Sequence, residues 1–225
     1  MADRGLFVVF EGGDRVGKST QVRALAAALQ ASDVAHVVTH EPGDTAVGEV
    51  IRRLLLDPAN HLDDRCEALL YAADKAQHIS EVVRPALSAG RVVVCDRYVD
   101  SLLAYQGAGR DLALAELEPI VRWATSDLRP DLTVLLDIDP ARAVGQVTDK
   151  DRLEQAGDKF HARVREGFRR MAAAEPERYL VLPGLTSLTA TAATIRGAVG
   201  ALLGQELVTP PLGDLTDLPS QPVDQ

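Results

Sequence analysis

The chain has 225 residues, 46% hydrophobic and 25% charged, with a formal net charge of −9, which places it among globular proteins with one substantial core. That acidic balance argues against a nucleic-acid binder with a broad basic face, although a nucleotide site needs only a few cations focused in a cleft. The first apolar run, Leu6 to Phe10, is too short for a signal peptide or membrane span, and Cys66 and Cys95 lack ligand-like spacing; a cytoplasmic protein with no membrane or nucleic-acid partner is expected.

Along the chain, short apolar runs alternate with helical patterns, the mark of a parallel α/β sheet. Leu6 to Phe10 reads as a buried strand, and Gly17 to Ser32 as a helix with Val22, Leu25, Ala26 and Leu29 on one face. Val34 to Thr39 is a second strand, Pro42-Gly43-Asp44 a turn, and Val47 to Leu56 a helix. Glu67 to Leu87 is a long helix, bent or ended near Pro85. Arg91 to Cys95 is a third strand that stops at Asp96, followed by a helix at Leu114 to Thr125 and a fourth strand at Leu132 to Leu136. Asp139-Pro140 opens another helix by its cap and first-turn proline. The polar stretch from Gly145 to Gly157 reads as a loop, part of a lid placed at about 143–157. Phe160 to Ala174 is helical, Tyr179 to Leu182 is a fifth strand, and Leu188 to Leu203 closes the domain. Residues 205–225 are rich in Pro, Asp and Thr without apolar periodicity and read as a disordered tail or linker. The expected fold is a three-layer α/β/α sandwich over 1–204, built on a five-stranded parallel sheet with its site at the strand C-terminal edge.

Gly12-Gly13-Asp14-Arg15-Val16-Gly17-Lys18-Ser19 fits the phosphate-loop pattern G-x-x-x-x-G-K-[ST], between a strand and a helix. Glycines let backbone N–H groups turn inward around a phosphate, and the helix N-terminus adds positive potential. Lys18 is expected to reach the β- and γ-phosphates of ATP, and the Ser19 hydroxyl to hold Mg²⁺. These eight residues and Thr20, at the helix start, form the candidate ATP site. Asp96, at a buried strand end, offers a carboxylate for Mg²⁺ or its water. Arg97 can fork onto an acceptor phosphate in a way lysine cannot. The loop alone leaves GTPases, ATPase motors and small-molecule kinases open, but no guanine-reading Asn-Lys-x-Asp occurs in the chain.

Several segments, in order, carry a resemblance to thymidylate kinases: Phe10-Glu11-Gly12-Gly13-Asp14, Glu41-Pro42-Gly43, Glu67 to Lys75, Asp96 to Gly109, and Asp151-Arg152-Leu153-Glu154-Gln155. The resemblance spans Leu6 to Leu203. It implies that Arg97 holds the acceptor phosphate, that Asp14 lies near the acceptor sugar, and that Tyr105 disfavours a 2′-hydroxyl. It also implies acceptor contacts from Arg52, Tyr71, Lys75, Ser101 and Gln106, with Tyr71 stacking on the base. Arg15 inside the loop resembles the arrangement of eukaryotic members. With no arginine between Ala143 and Asp151, only Lys150, Arg15 is the expected catalytic cation beside Lys18 and Arg97, and Arg152 the lid candidate. Three positions depart from the family at the acceptor: His40 and Lys75 stand where arginines are usual, and Leu102 where a serine or asparagine touches the pyrimidine. The implied reaction is transfer from ATP to a deoxypyrimidine monophosphate, first of all dTMP, by a homodimer paired through the helix from Glu67. The alternatives are another or modified deoxypyrimidine monophosphate as acceptor, or a nucleotide-binding regulatory module with weak catalysis.

Overall fold

A computed structural model describes residues 5–139, 152–184 and 187–210. The helix expected to open at Asp139-Pro140, most of the lid with Lys150, and the tail from 211 onward lie outside the described residues. Five strands form one all-parallel sheet: β1 (Phe7–Gly12), β2 (His36–His40), β3 (Val92–Asp96), β4 (Leu132–Asp137) and β5 (Tyr179–Pro183), in the order β2-β3-β1-β4-β5. The register Phe10↔Asp96 and Gly12↔Leu136 brings the ends of β1, β3 and β4 together at one edge. The three inner strands are almost continuously buried, whereas edge strands β2 and β5 keep partly exposed positions. That contrast follows from strand order, since only inner strands of a doubly covered sheet lose water from both faces.

The alternation along β1 divides the core. Val8 and Phe10 join Val22, Leu25 and Leu29 of α1 (Lys18–Ala31) and Ile195 and Val199 of α8 (Leu188–Leu203) on one face. Phe7 and Val9 pack on the other face with Ile79, Val83, Leu87 and Tyr98. The sandwich is therefore three-layered, as expected.

The remaining helices are α2 (Ala46–Leu56), α3 (Asp64–His78), α4 (Arg84–Ser88), α5 (Val99–Leu102), α6 (Leu114–Thr125) and α7 (Asp158–Ala174). The helix expected over 67–87 neither ends nor breaks at Pro85. A π-helical turn, Ile79–Val83, joins α3 to α4, and Pro85 falls in the first turn of α4, where its missing N–H is harmless. A second π-helical segment, Leu103–Gly109, extends α5 and supplies an element for which the sequence showed no helical period. Beyond α8, Leu207 is buried in the α1–α8 core and Val208 N–H donates to Ser32 Oγ at 2.8 Å, so the packed domain runs past the boundary set at 204.

Candidate active site

β1 ends on Gly12, whose φ is 136° and where an added Cβ would lie 2.6 Å from the Leu136 carbonyl oxygen. Only glycine lets the loop lie this close to β4. The backbone then passes through Arg15 at φ 61° and Gly17 at φ 96° into α1. No side chain caps α1, which leaves its first amide groups and positive dipole end to an anion. The buried Lys18 ammonium donates to the carbonyls of Gly12 at 3.2 Å and Gly13 at 2.6 Å. Burial, with the Arg97 cation nearby, lowers its pKa to about 8.

Arg97 follows β3 in the left-handed region, φ 70°, and its backbone N–H donates to Phe10 at 2.9 Å. Its guanidinium donates to the Gly12 carbonyl at 3.0 Å, Ser101 Oγ at 3.1 Å and Asp14 Oδ1 at 2.6 Å. The Tyr105 hydroxyl donates to Asp14 Oδ2 at 2.8 Å, and the Arg97 guanidinium lies 5.3 Å from the Tyr105 ring centre. Burial pushes the Asp14 carboxyl up, but Arg97, Lys18 and the Tyr105 hydroxyl outweigh it and hold it below its ordinary value. The structure thus joins Asp14, Lys18, Arg97, Ser101 and Tyr105 around the end of β1.

The Ser19 hydroxyl donates to Asp96 Oδ2 at 3.2 Å, while the buried Asp96 Oδ1 has no hydrogen-bond partner. Two hard oxygen ligands, one with an uncommitted buried lone pair, suit Mg²⁺, which takes one or two protein oxygens and fills its shell with phosphate and water. Among the described residues no cluster of three or more His, Cys, Asp and Glu side chains forms a metal cage.

Glu11 had only a place in a motif, yet it fixes Arg97. Its fully buried carboxylate accepts the N–H groups of Tyr98 at 2.9 Å and Ser101 at 3.1 Å, and the Ser101 hydroxyl at 2.6 Å. Those bonds hold the turn in which Arg97 is left-handed, a conformation non-glycine residues adopt only when their surroundings over-determine it. Burial, reinforced by Asp100, raises the Glu11 pKa to about 7. The signal available in sequence was a lone acid continuing an unbroken apolar strand.

The other predicted residues divide. Arg52 on α2 donates to the Pro42 carbonyl at 2.7 Å and covers Gly43, so it stands at the Glu41-Pro42-Gly43 turn. That turn is braced from α3: Gly43 N–H donates to Asp74 Oδ1 at 3.0 Å, and His78 Nδ1 lies 2.7 Å from Glu41 Oε1. Lys75, expected at the base, is 1% exposed and commits its ammonium to Glu41. Leu102 is buried in the core beside Tyr71 and Tyr105, and His40 faces Asp44 at 3.7 Å. Gln106 donates to Glu67 Oε1 at 2.8 Å. Arg152, expected over the phosphates, instead pairs with Glu67 and donates to the Leu55 carbonyl at 2.9 Å. Arg15 pairs with Glu154 at 2.9 Å, and both line a cleft of about 270 Å³ between the loop and the start of α7.

The family model described as thymidylate kinase matches residues 10–195. This chain belongs to the thymidylate kinase family. Among its relatives is a thymidylate kinase of Cutibacterium acnes, 54% identical over 202 residues, covering 89% of this chain and 99% of the relative. A thymidylate kinase of Bifidobacterium longum is 49% identical, covering 88% and 98%. The crystal structure of thymidylate kinase from Ehrlichia chaffeensis superposes with a TM-score of 0.71 at 29% identity, over 87% of this chain and 99% of that one. For a member of the thymidylate kinase family, the arrangement around Gly12 has a direct chemical meaning: two cations meet at one backbone oxygen.

Proposed function

We propose that this chain is an ATP:dTMP phosphotransferase, moving the γ-phosphoryl group of ATP to dTMP to give dTDP. The observation that carries this reading is the convergence of Lys18 and Arg97 on the Gly12 carbonyl, at 3.2 and 3.0 Å. One cation comes from the phosphate loop and the other from the strand next to it, so donor and acceptor phosphates held by them would be neighbours. No covalent intermediate is needed, because alignment and charge neutralisation supply most of the rate in phosphoryl transfer.

Residues 12–20 bind the triphosphate, with the uncapped α1 terminus and Lys18 meeting its anionic oxygens. Ser19 and Asp96 would hold Mg²⁺, which neutralises phosphate charge when bound. Arg97, aimed by Glu11, Ser101 and Asp14, takes the acceptor phosphate. Tyr105, locked to Asp14, stands at the sugar, and Tyr71 with Gln106 meets the base, with Arg52 on α2, the helix packed beside α3. Arg15 supplies positive charge to the moving group once it leaves Glu154, and Arg152 reaches the site only if it leaves Glu67. A second copy of the chain is expected against α3, where Leu69 is 55% exposed.

The test is kcat/KM with Mg-ATP for dTMP, dUMP, dCMP, a 5-hydroxymethyl analogue and a purine monophosphate. We expect dTMP to be phosphorylated and preferred. A different monophosphate used while dTMP is not would replace the acceptor, and ATP binding without turnover on any of them would leave only a nucleotide-binding module.

A further inference from the structure

Glu67 is fully buried on α3 and takes no direct part in the reaction just described, yet it collects three hydrogen bonds and a further ion pair. Its Oε1 accepts Gln106 Nε2 at 2.8 Å and Arg110 Nε at 3.2 Å, and its Oε2 accepts Arg110 Nη2 at 3.1 Å and pairs with Arg152. A carboxylate flanked by two guanidinium groups stays ionised, and an ionised carboxylate only accepts hydrogen bonds. The Gln106 amide therefore has one allowed orientation. Its NH₂ faces Glu67 and its carbonyl oxygen faces away, where no described residue donates to it. Glu67 and Tyr71 lie four residues apart on α3 and share a helix face. The amide is thus held one helical turn from the ring proposed to stack on the base.

We infer that Glu67 is a specificity-determining residue: by fixing the Gln106 amide it makes the pocket present a hydrogen-bond acceptor to N3 of the pyrimidine. Thymine and uracil carry a proton on N3 and donate to that oxygen. Cytosine carries a lone pair there, so in the same pose acceptor meets acceptor. The device selects on the ring edge and is indifferent to the 5-substituent. It rests on the dTMP reading above, because it assumes that the acceptor base lies beside Tyr71 and Gln106.

The experiment is kcat/KM for dTMP, dUMP and dCMP on wild type, Glu67→Gln, Glu67→Asp and Gln106→Ala. Glu67→Gln puts an amide opposite Gln106 and permits the flipped orientation. Glu67→Asp keeps the charge facing Arg110 and Arg152, which protects the fold, and withdraws the acceptor from Gln106 by one methylene. Both Glu67 variants should lose roughly 10–100-fold of the preference for dTMP over dCMP, the scale of one hydrogen bond exchanged for an unpaired group. The preference for dTMP over dUMP should stay at its wild-type value. A structural clamp alone would lower all three substrates together, and that result, or an unchanged dTMP-to-dCMP ratio in Glu67→Asp, overturns the inference. If Gln106→Ala leaves that ratio intact, Gln106 does not meet the base and the inference falls while transfer to dTMP stands. If wild type does not phosphorylate dTMP, it is the functional reading that has failed.

Discussion

At the loop mouth, Lys18 donates to two carbonyls from a buried position, and burial together with the Arg97 cation brings its pKa to about 8. A triphosphate beside it favours the charged form and returns the proton. With a pKa of about 8 in the free protein, ATP binding at pH 8 is predicted to take up about half a proton. Calorimetric titration in two buffers of different ionisation enthalpy measures it, and Lys18→Met should abolish it. Binding with no proton uptake by wild type would place the Lys18 ammonium away from the phosphates. At this scale the loop, Asp96 and Arg97 were legible because their chemistry requires particular residue types at fixed spacing beside a strand end. Lys75 and Arg152 were not, because their partners, Glu41 and Glu67, lie 34 and 85 residues away (75 − 41 and 152 − 67) and only tertiary packing brings them together. Glu11 stood in a recognised segment, but its work depends on N–H groups of a turn that sequence does not display.

Among the elements, the α2–α3 wall is tightly built. Thr45 caps α2 by accepting from Gly48 N–H, and a Cβ at Gly48 would sit 2.6 Å from Asp74 Oδ1 and 2.8 Å from Thr45 Oγ1. Overpacking of this kind costs about 1–3 kcal/mol, more than the ~1 kcal/mol alanine gains over glycine in a helix. Gly197 in α8 is exposed, with nothing within 4 Å of such a Cβ. Gly48→Ala should therefore lower Tm by a few degrees, whereas Gly197→Ala should raise it slightly. Thermal melts of the two variants side by side check this, and a reversed order would mean that α2 and α3 do not pack as described. Leu114–Thr125 was readable because Leu117, Val121 and Ala124 recur at helical spacing along it, and Leu188–Leu203 because Ile195 and Val199 do so before Gly204 stops the helix. The segment Leu103–Gly109 was not, since a π-helical turn departs from that period, and four of its seven residues, Ala104, Gly107, Ala108 and Gly109, are too small to mark an apolar stripe.

For the whole molecule, the five parallel strands and the C-terminal edge that carries the site follow from the alternation of buried runs and helical patterns, whereas the strand order and the end of the packed domain did not. A single apolar residue, Leu207, in a polar stretch shows no period, yet it is 3% exposed and closes the core between α1 and α8. Ending the chain after Gly204 removes that side chain and should cost about 2–4 kcal/mol, like a buried leucine truncation. Ending it after Pro210 should leave Tm unchanged, and equal Tm for the two truncations would show that Leu207 adds nothing. The central claim is that the loop and Arg97 together pass a phosphoryl group from ATP to dTMP. Its most direct measurement is the fate of γ-labelled ATP incubated with dTMP, Mg²⁺ and either wild type or Lys18→Ala, with the fold of the variant verified by circular dichroism. Label should appear in dTDP with wild type, and the rate should fall by roughly 10³-fold or more in Lys18→Ala without unfolding. Label released only as phosphate, or a variant that turns over at a near-normal rate, would contradict it.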